Sequence, residues 1–403
     1  MFKTLLYPLK FFLSLISLLV SIKSFLFLIY KANFKNKIVF LQPEGGFGHT
    51  ILTPEVLNKL VKNNEWILVF GYDSRRHNYL IKDLYKNNFF WLELTYSSDF
   101  PKMVFEPFKE FIFFLLYFYL KCKRVKCYYY FEYLLKLEDY GHSKYNKEGT
   151  ALYERISYKI IYENVENLDS IDTRIKELNF HIKKIKKCSL GYKKSIYGDI
   201  NSINRSSDEL ENYKKSLFRI VDLGWDVYIY GDLPADLPKW FDDLRKNIYF
   251  SDNRKNLNKF NLYAGINSEC YIGPMSGASS WKYMFPKKPS LIIDAHPFGW
   301  SYFNSVIAYK IINGVKNNET IKDLLKRERI YWYDNDPYDY RYTDQDEKES
   351  IIINFLKNLD SINAEIITSE NLGLPKDHPI SWSYSSISKT WYKIQEATLK
   401  KNK

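Results

Sequence analysis

Short apolar runs, each closed by glycine or a polar residue and followed by a stretch of helical spacing, set the strongest limit on what this chain can become. Lys37 to Gln42 (KIVFLQ), Trp66 to Gly71 (WILVFG), Cys188 to Tyr192, Trp225 to Gly231 (WDVYIYG), Asn247 to Phe250, Glu269 to Gly273 and Pro289 to Asp294 read this way. Runs too short for a helix and apolar at nearly every position suit strands buried on both faces, and helices between such strands make parallel pairing the natural solution. The alternation predicts an α/β chain of doubly wound sheets, with ligands outside the carboxyl ends of the strands.

Helices are expected at Leu52 to Val61, from Ser206 or Ser207 to about Leu223, at Asp236 to Arg245, Lys255 to Ala264, Gly277 to Met284, Glu347 to Leu359 and Ile387 to Leu399. Gly224 supplies the left-handed stop that ends the second of these. Between Lys82 and Glu138 the chain is mostly helical and aromatic, and Leu152 to Ile185 continues with helical spacing. A chain of 403 residues has room for two cores. The expected division is a membrane-associating helix at 1–35, a first domain at 36–185, a second at 186–375, and a closing helix at 376–403 that crosses back to the first domain.

Two loops carry the residue types that hold anions. Ile272 to Asp294 (IGPMSGASSWKYMFPKKPSLIID) reads as strand, small-residue turn, helix and strand, and Ser276, Gly277, Ser279 and Ser280 crowd its turn. Unpaired N–H groups and hydroxyls there suit a phosphate; the plainer reading is that Ser276 caps the helix and Gly277 relieves the turn. The first strand feeds directly into Pro43-Glu44-Gly45-Gly46-Phe47-Gly48-His49. Gly45, Gly46 and Gly48 let backbone approach a ligand closely, or merely serve the turn, with His49 a catalytic side chain or a cap. The loop is neither a Walker A sequence nor a G-x-G-x-x-G fingerprint.

A formal net charge of +12 suits an anionic partner, but no compact arginine motif or nucleic-acid module accompanies it, and nucleic acid is not expected. The four cysteines show neither C-x-x-C nor metal-ligand spacing with the six histidines, and read as reduced thiols. Asp334-Asn335-Asp336 forms a D-x-D, read here as solvated surface rather than a metal site.

Near the amino terminus, Lys10, Ser14, Ser17, Ser21 and Ser24 recur at alternating steps of four and three, which keeps them on one stripe of a helix with a wide apolar remainder. That pattern fits a helix lying in the membrane interface, with a single span and a helix packed on protein as alternatives. A second apolar run, Phe111 to Leu120 (FIFFLLYFYL), is too short to span and precedes Lys121, Lys123, Arg124 and Lys126. The expectation is a buried helix; the alternative is a second membrane-contacting patch over 111–126.

The segment INRSSDELENYKKSLFRIVDLGWDVYIYGD, followed by YIGPMSGASSWKYMFPKKPSLIID, resembles the carboxyl-terminal half of a bacterial family of glycosyltransferases, in which a "yRNs" segment, a helix, a "G-x-x-V" strand and an "SG…F..P" element occur in this order. The EGGFGH loop resembles the Gly-rich loop with histidine that opens other two-domain GT-B glycosyltransferases, including the lipid-linked peptidoglycan enzyme. The resemblance implies a GT-B fold of two facing Rossmann-like domains, with a nucleotide-diphosphate sugar held mainly by the second and the acceptor by the first. Arg205 matches the "yRN" arginine, with Ser206 in place of the asparagine; Tyr230 stands where the family often has a second arginine, and Lys193 takes the place of an arginine after the domain's first strand.

In that setting Arg205, Lys193, Ser276, Gly277, Ser279 and Ser280 hold the donor, and His49, with Glu44 as second candidate, accepts the acceptor proton. No metal and no cofactor are expected. The implied activity is inverting transfer to a lipid-linked glycan acceptor in bacterial surface polysaccharide assembly, at the cytoplasmic face of the inner membrane, peripheral or else single-pass. The alternatives are a non-catalytic protein of the same fold that binds phosphorylated lipid or an assembly partner, and a phospho- or sulfotransferase.

Overall fold

The computed structural model describes residues 37–42, 47–61, 66–70, 102–137, 149–163, 187–192, 209–231, 237–250, 257–274, 281–296, 301–314, 319–326, 339–376 and 378–401, together with 23 and 298. The chain divides into two compact units, Met1–Leu178 and Asn179–Lys403, a boundary seven residues before the one expected from sequence. Apart from Lys23, the helix expected at the amino terminus falls on residues outside those described, as does the D-x-D. Among the described residues no helix is long and apolar enough to cross a membrane.

In the first unit β1 (Ile38–Gln42) sits between β2 (Trp66–Phe70) and β3 (Lys126–Tyr129), parallel to both. The connecting helices are α1 (Phe47–Leu60), α2 (Lys102–Cys122), α3 (Tyr130–Leu137) and α4 (Gly149–Glu163). Alternation along β1 sends Val39 and Leu41 to one face, where they join Val69 and the α2 residues Ile112, Phe113, Leu116 and Leu120 in one apolar cluster. Phe40 faces the other way and meets the Tyr133 ring of α3 edge-on, with ring centroids 4.8 Å apart. Covering on both faces is what a continuous apolar run such as IVFLQ requires.

α2 departs from the expectation of a buried helix. Its inner face packs on the sheet, while Phe111, Phe114, Leu115, Phe118 and Tyr119 remain exposed. The strand β3 (KCYY) was not anticipated, because a lysine and two tyrosines give no apolar run to recognise.

The second unit is built on an eight-stranded sheet. Its first six strands, all parallel, are β4 (Lys187–Tyr192), β5 (Asp226–Gly231), β6 (Ile248–Tyr249), β7 (Cys270–Gly273), β8 (Ser290–Ala295) and β9 (Val306–Tyr309), and β10 (Ile311–Ile312) with β11 (Tyr340–Arg341) forms a separate two-stranded antiparallel sheet. β12 (Ile366–Thr368) and β13 (Ser386–Ser388) complete the large sheet, in the order β12-β13-β9-β8-β7-β4-β5-β6. Numbered from β4, strands β4 to β9 run third, second, first, fourth, fifth, sixth, which is the doubly wound order of dinucleotide-binding sheets, and β13 extends the parallel run beyond β9 while β12 pairs antiparallel to it. β7 and β8 are buried along their whole length, as parallel central strands must be.

The helices of this unit include α5 (Lys214–Asp222), α6 (Leu257–Asn267), α7 (Trp281–Met284), α8 (Gln345–Lys357) and α9 (Lys389–Lys401), and further short ones lie at Ile321–Lys326, Ser369–Leu372 and Pro379–Trp382. α5 is preceded by a 3-10 turn, Leu210–Tyr213, and the helix expected at Asp236 to Arg245 is likewise a 3-10 helix, Lys239–Leu244, entered from Pro238. Gly224 terminates α5 with φ +79°, its N–H bonded to the Val221 carbonyl while the Trp225 N–H reaches Ile220, the two-bond stop that a left-handed glycine permits.

Residues 379–401 supply β13 and α9 to this unit. Trp391 of α9 is fully buried, 5.4 Å from the Tyr309 ring, and Gln395 serves both the N–H and the carbonyl of Ile312 at 2.8 and 3.0 Å.

Candidate functional site

In a doubly wound sheet the chain changes direction between its first and fourth strands, so the loops leaving those strands diverge and open a crevice at their carboxyl ends. Here the two strands are β4 and β7, paired in parallel through Cys188 with Cys270, Ser189 with Tyr271 and Leu190 with Ile272. β4 ends at Tyr192, and the stretch that follows it in sequence begins with Lys193 and contains Arg205. β7 ends at Gly273, and Pro274 leads to Ser276, Gly277, Ser279 and Ser280. Lys193, Arg205 and these four residues lie outside the described residues; their flanking strands do not. The exit from β7 is pinned by the buried Tyr271 hydroxyl, which donates to the Pro274 carbonyl at 3.2 Å.

The first unit repeats the arrangement on a smaller scale. β1 is flanked by the strand that follows it on one side and by β3 on the other, so the chain also changes direction there. Only residues 43–46 separate β1 from α1; Glu44, Gly45 and Gly46 fall in that gap, outside the described residues. Gly48 and His49 belong to the first turn of α1, so the Gly-rich loop is shorter than sequence suggested and the helix begins at Phe47 instead of Leu52. The described helix after the serine-rich stretch is the single turn α7, Trp281–Met284.

Beside β7, the carboxyl end of β8 carries a charge cluster that sequence reasoning missed. Asp294 has φ +53°, a left-handed backbone tolerated by Asp and Asn better than by other residues with a Cβ. Its Oδ2 accepts from Lys348 Nζ at 2.6 Å, and its Oδ1 accepts from the Thr343 N–H and hydroxyl at 2.8 and 2.9 Å. Both charged side chains are buried (0% and 1% exposed), and the ammonium lies 4.7 Å from the Tyr213 ring centroid. The Lys348 charge is thus neutralised inside the protein and is not offered to a ligand. The cluster instead ties the end of β8 to the start of α8.

The same corner holds the bidentate pair of Arg341 with Glu347, at 2.6 and 2.7 Å. Burial acts to raise the Glu347 carboxyl, and the Arg341 hydrogen bond together with the Asp344 N–H outweighs it, holding the group below the usual carboxylate range. Glu347 also closes a capping box with Asp344 at the start of α8. His296, buried, packs edge-on to Tyr340 at 5.1 Å, and Lys310 lies 4.0 Å from the Tyr342 ring centroid. The one trace of this corner in the sequence is Asp294, an acid closing the apolar run SLII; its partner Lys348 is too distant in sequence for any pattern to connect them.

On the opposite side of β4, Tyr228 of β5 packs edge-on to Tyr263 at 5.7 Å; burial, then its hydrogen bond to Tyr263, pushes its hydroxyl well above the ordinary tyrosine range. Lys288, after α7, donates to the Gly265 and Ile266 carbonyls at 3.1 and 2.6 Å, capping the end of α6. Fold and site therefore define a two-unit α/β protein in which the anion-binding residue types follow the two strands that flank the point where the sheet reverses.

No family model matches the chain, and no curated protein matches it. Among solved structures, the UDP-GlcNAc 2-epimerase from Neisseria meningitidis bound to UDP-GlcNAc is 12% identical, covering 91% of this chain and 100% of that one, with a TM-score of 0.37. The E. coli heptosyltransferase WaaC with ADP-2-deoxy-2-fluoro heptose is 8% identical, covering 67% and 92%, at 0.35. The wall teichoic acid polymerase TagF is 10% identical, covering 96% and 97%, at 0.33. Likenesses at TM-scores of 0.33 to 0.37 carry no argument about ligand or chemistry.

Proposed function

We propose that the chain is a GT-B glycosyltransferase that moves a sugar from a nucleotide-diphosphate donor to a lipid-linked glycan acceptor in bacterial surface polysaccharide assembly, without a metal and with inversion. The observation that carries this reading is the strand order of the second unit, which brings the chain exits after β4 and β7 to one edge of the sheet. A departing nucleoside diphosphate gathers negative charge as the glycosidic bond breaks, and fixed donors at that edge lower the barrier. In the proposal Arg205 and Lys193 supply charge, and the N–H and hydroxyl groups of Ser276, Gly277, Ser279 and Ser280 cradle the phosphates. The acceptor hydroxyl attacks the anomeric carbon from the opposite side as His49, or Glu44 in its place, takes the proton.

The test is a thermal-shift panel of nucleotide-diphosphate sugars on the full chain. A ligand at a hundredfold excess over its Kd stabilises by about 2.7 kcal/mol, so one donor should stand out. The Arg205→Ala chain should lose that shift, while His49→Ala should keep it and lose sugar transfer. If no nucleotide sugar shifts the wild-type chain, the enzyme reading fails.

A further inference from the structure

The exposed face of α2 forms a surface whose composition matches neither solvent nor a protein core. Phe111, Phe114, Leu115, Phe118 and Tyr119 are each between 44 and 61% exposed. Their spacing of three, four, seven and eight residues from Phe111 places them on one stripe, opposite the sheet-facing Ile112, Leu116 and Leu120. The stripe runs about 12 Å along the helix. A contiguous row of exposed phenylalanines is unusual on a surface that meets only water.

Charge surrounds one end of this stripe. Lys121, Lys123, Arg124 and Lys126 are all exposed, and no acid occurs between Glu110 and Glu132. The ammonium of Lys121 lies 5.2 Å from the Tyr117 ring centroid and that of Lys123 lies 5.9 Å from Tyr119, so the cations are held beside the aromatic rows.

The helix stop adds an independent observation. The Val125 N–H bonds to the Leu120 carbonyl at 2.9 Å and the Arg124 N–H to Lys121 at 2.9 Å, which puts Arg124 in the left-handed position at φ +57°. The same two-bond stop occurs after α5 at Gly224 and after the short helix Ser369–Leu372 at Gly373, where glycine takes that position, and after Pro379–Trp382 at Tyr384, where a tyrosine takes it. At the end of α2 an arginine takes it, at a backbone cost that glycine would avoid.

We infer that this face of α2 docks on an anionic lipid bilayer. The phenylalanines enter the acyl boundary, Tyr119 sits at headgroup depth, and the four cations meet lipid phosphates. A second copy of the chain is a poorer occupant, because self-pairing brings two cationic clusters into one interface.

The full chain should co-sediment with phosphatidylcholine vesicles containing phosphatidylglycerol much more than with phosphatidylcholine alone, and the difference should shrink as salt rises. Phe114→Ser/Phe118→Ser should weaken that partitioning by roughly tenfold or more, since binding scales with apolar area inserted. Arg124→Gly should weaken it about fivefold while raising the melting temperature, the two readouts moving in opposite directions. A purely structural role for Arg124 would leave vesicle binding unchanged. Equal binding to both vesicle types, or variants that bind like wild type because residues 1–31 carry all the affinity, would overturn the proposal. So would self-association abolished by the phenylalanine variant while vesicle binding persists. None of these readouts depends on sugar transfer.

Discussion

Replacing Lys348 by methionine removes one half of the buried pair at the end of β8 and leaves the Asp294 carboxylate with only the two Thr343 donors. At the observed 2.6 Å, an effective dielectric constant of about 20 gives a gross attraction of about 6 kcal/mol. The lost desolvation penalty of the lysine offsets part of that, and breaking a fully buried pair from one side costs about 3–5 kcal/mol. Against a total stability of about 5–15 kcal/mol this is a large fraction. Asp294→Asn is the conservative partner change, since asparagine tolerates φ +53° and can still accept from Thr343.

The double variant, Asp294→Asn with Lys348→Met, leaves no uncompensated charge and should be less destabilised than the sum of the single changes by about 1–3 kcal/mol. Urea unfolding read by hydrogen exchange in peptides covering β8 and α8 would assign the loss to the second unit, which matters because a chain of two units need not unfold in one step. A Lys348→Met chain within about 1 kcal/mol of wild type, or strictly additive single changes, would refute the account of the pair as the tether between β8 and α8.

Glu347 provides a pH prediction, and Cys127 a chemical one. Because the Glu347 carboxyl is held below its ordinary value of 4.5, its contribution is fully present above that pH and is lost as pH falls through the depressed value; Glu347→Gln should flatten the acid side of the melting-temperature profile, and an unchanged slope would argue against it. Burial pushes the Cys127 thiol up to about 12, whereas Cys122 is exposed, so iodoacetamide at mildly alkaline pH should modify Cys122 in the native chain and reach Cys127 only on unfolding, as read by peptide mass.

Much of the strand and helix content was legible in the sequence, because burial on both faces leaves a local mark. IVFLQ, WILVF, DVYIYG and SLIIDA are apolar at most positions whatever they pack against, and glycine at 224 announces a left-handed stop by itself. The serine and glycine clusters that carry the candidate site residues are local features as well, and the described strands β1 and β7 lead into them.

What the chain alone could not convey is relational. β3 (KCYY), β12 (IIT) and β13 (SIS) are too short or too polar to stand out as apolar runs and are defined by the neighbouring strands that pair with their backbone; in β13 the adjoining serine hydroxyls help, as where Ser385 Oγ accepts from the Ser305 N–H at 3.1 Å. The sheet order, and with it the meeting of the exits after β4 and β7, follows from which strands pair, a choice made by packing and not by any one segment. α2 shows the same division of labour. Its composition is apolar nearly all round, so periodicity offers no contrast by which to choose a face. Only its docking on Val39, Leu41 and Val69 decides that Ile112, Phe113, Leu116 and Leu120 turn inward and the phenylalanine row turns out.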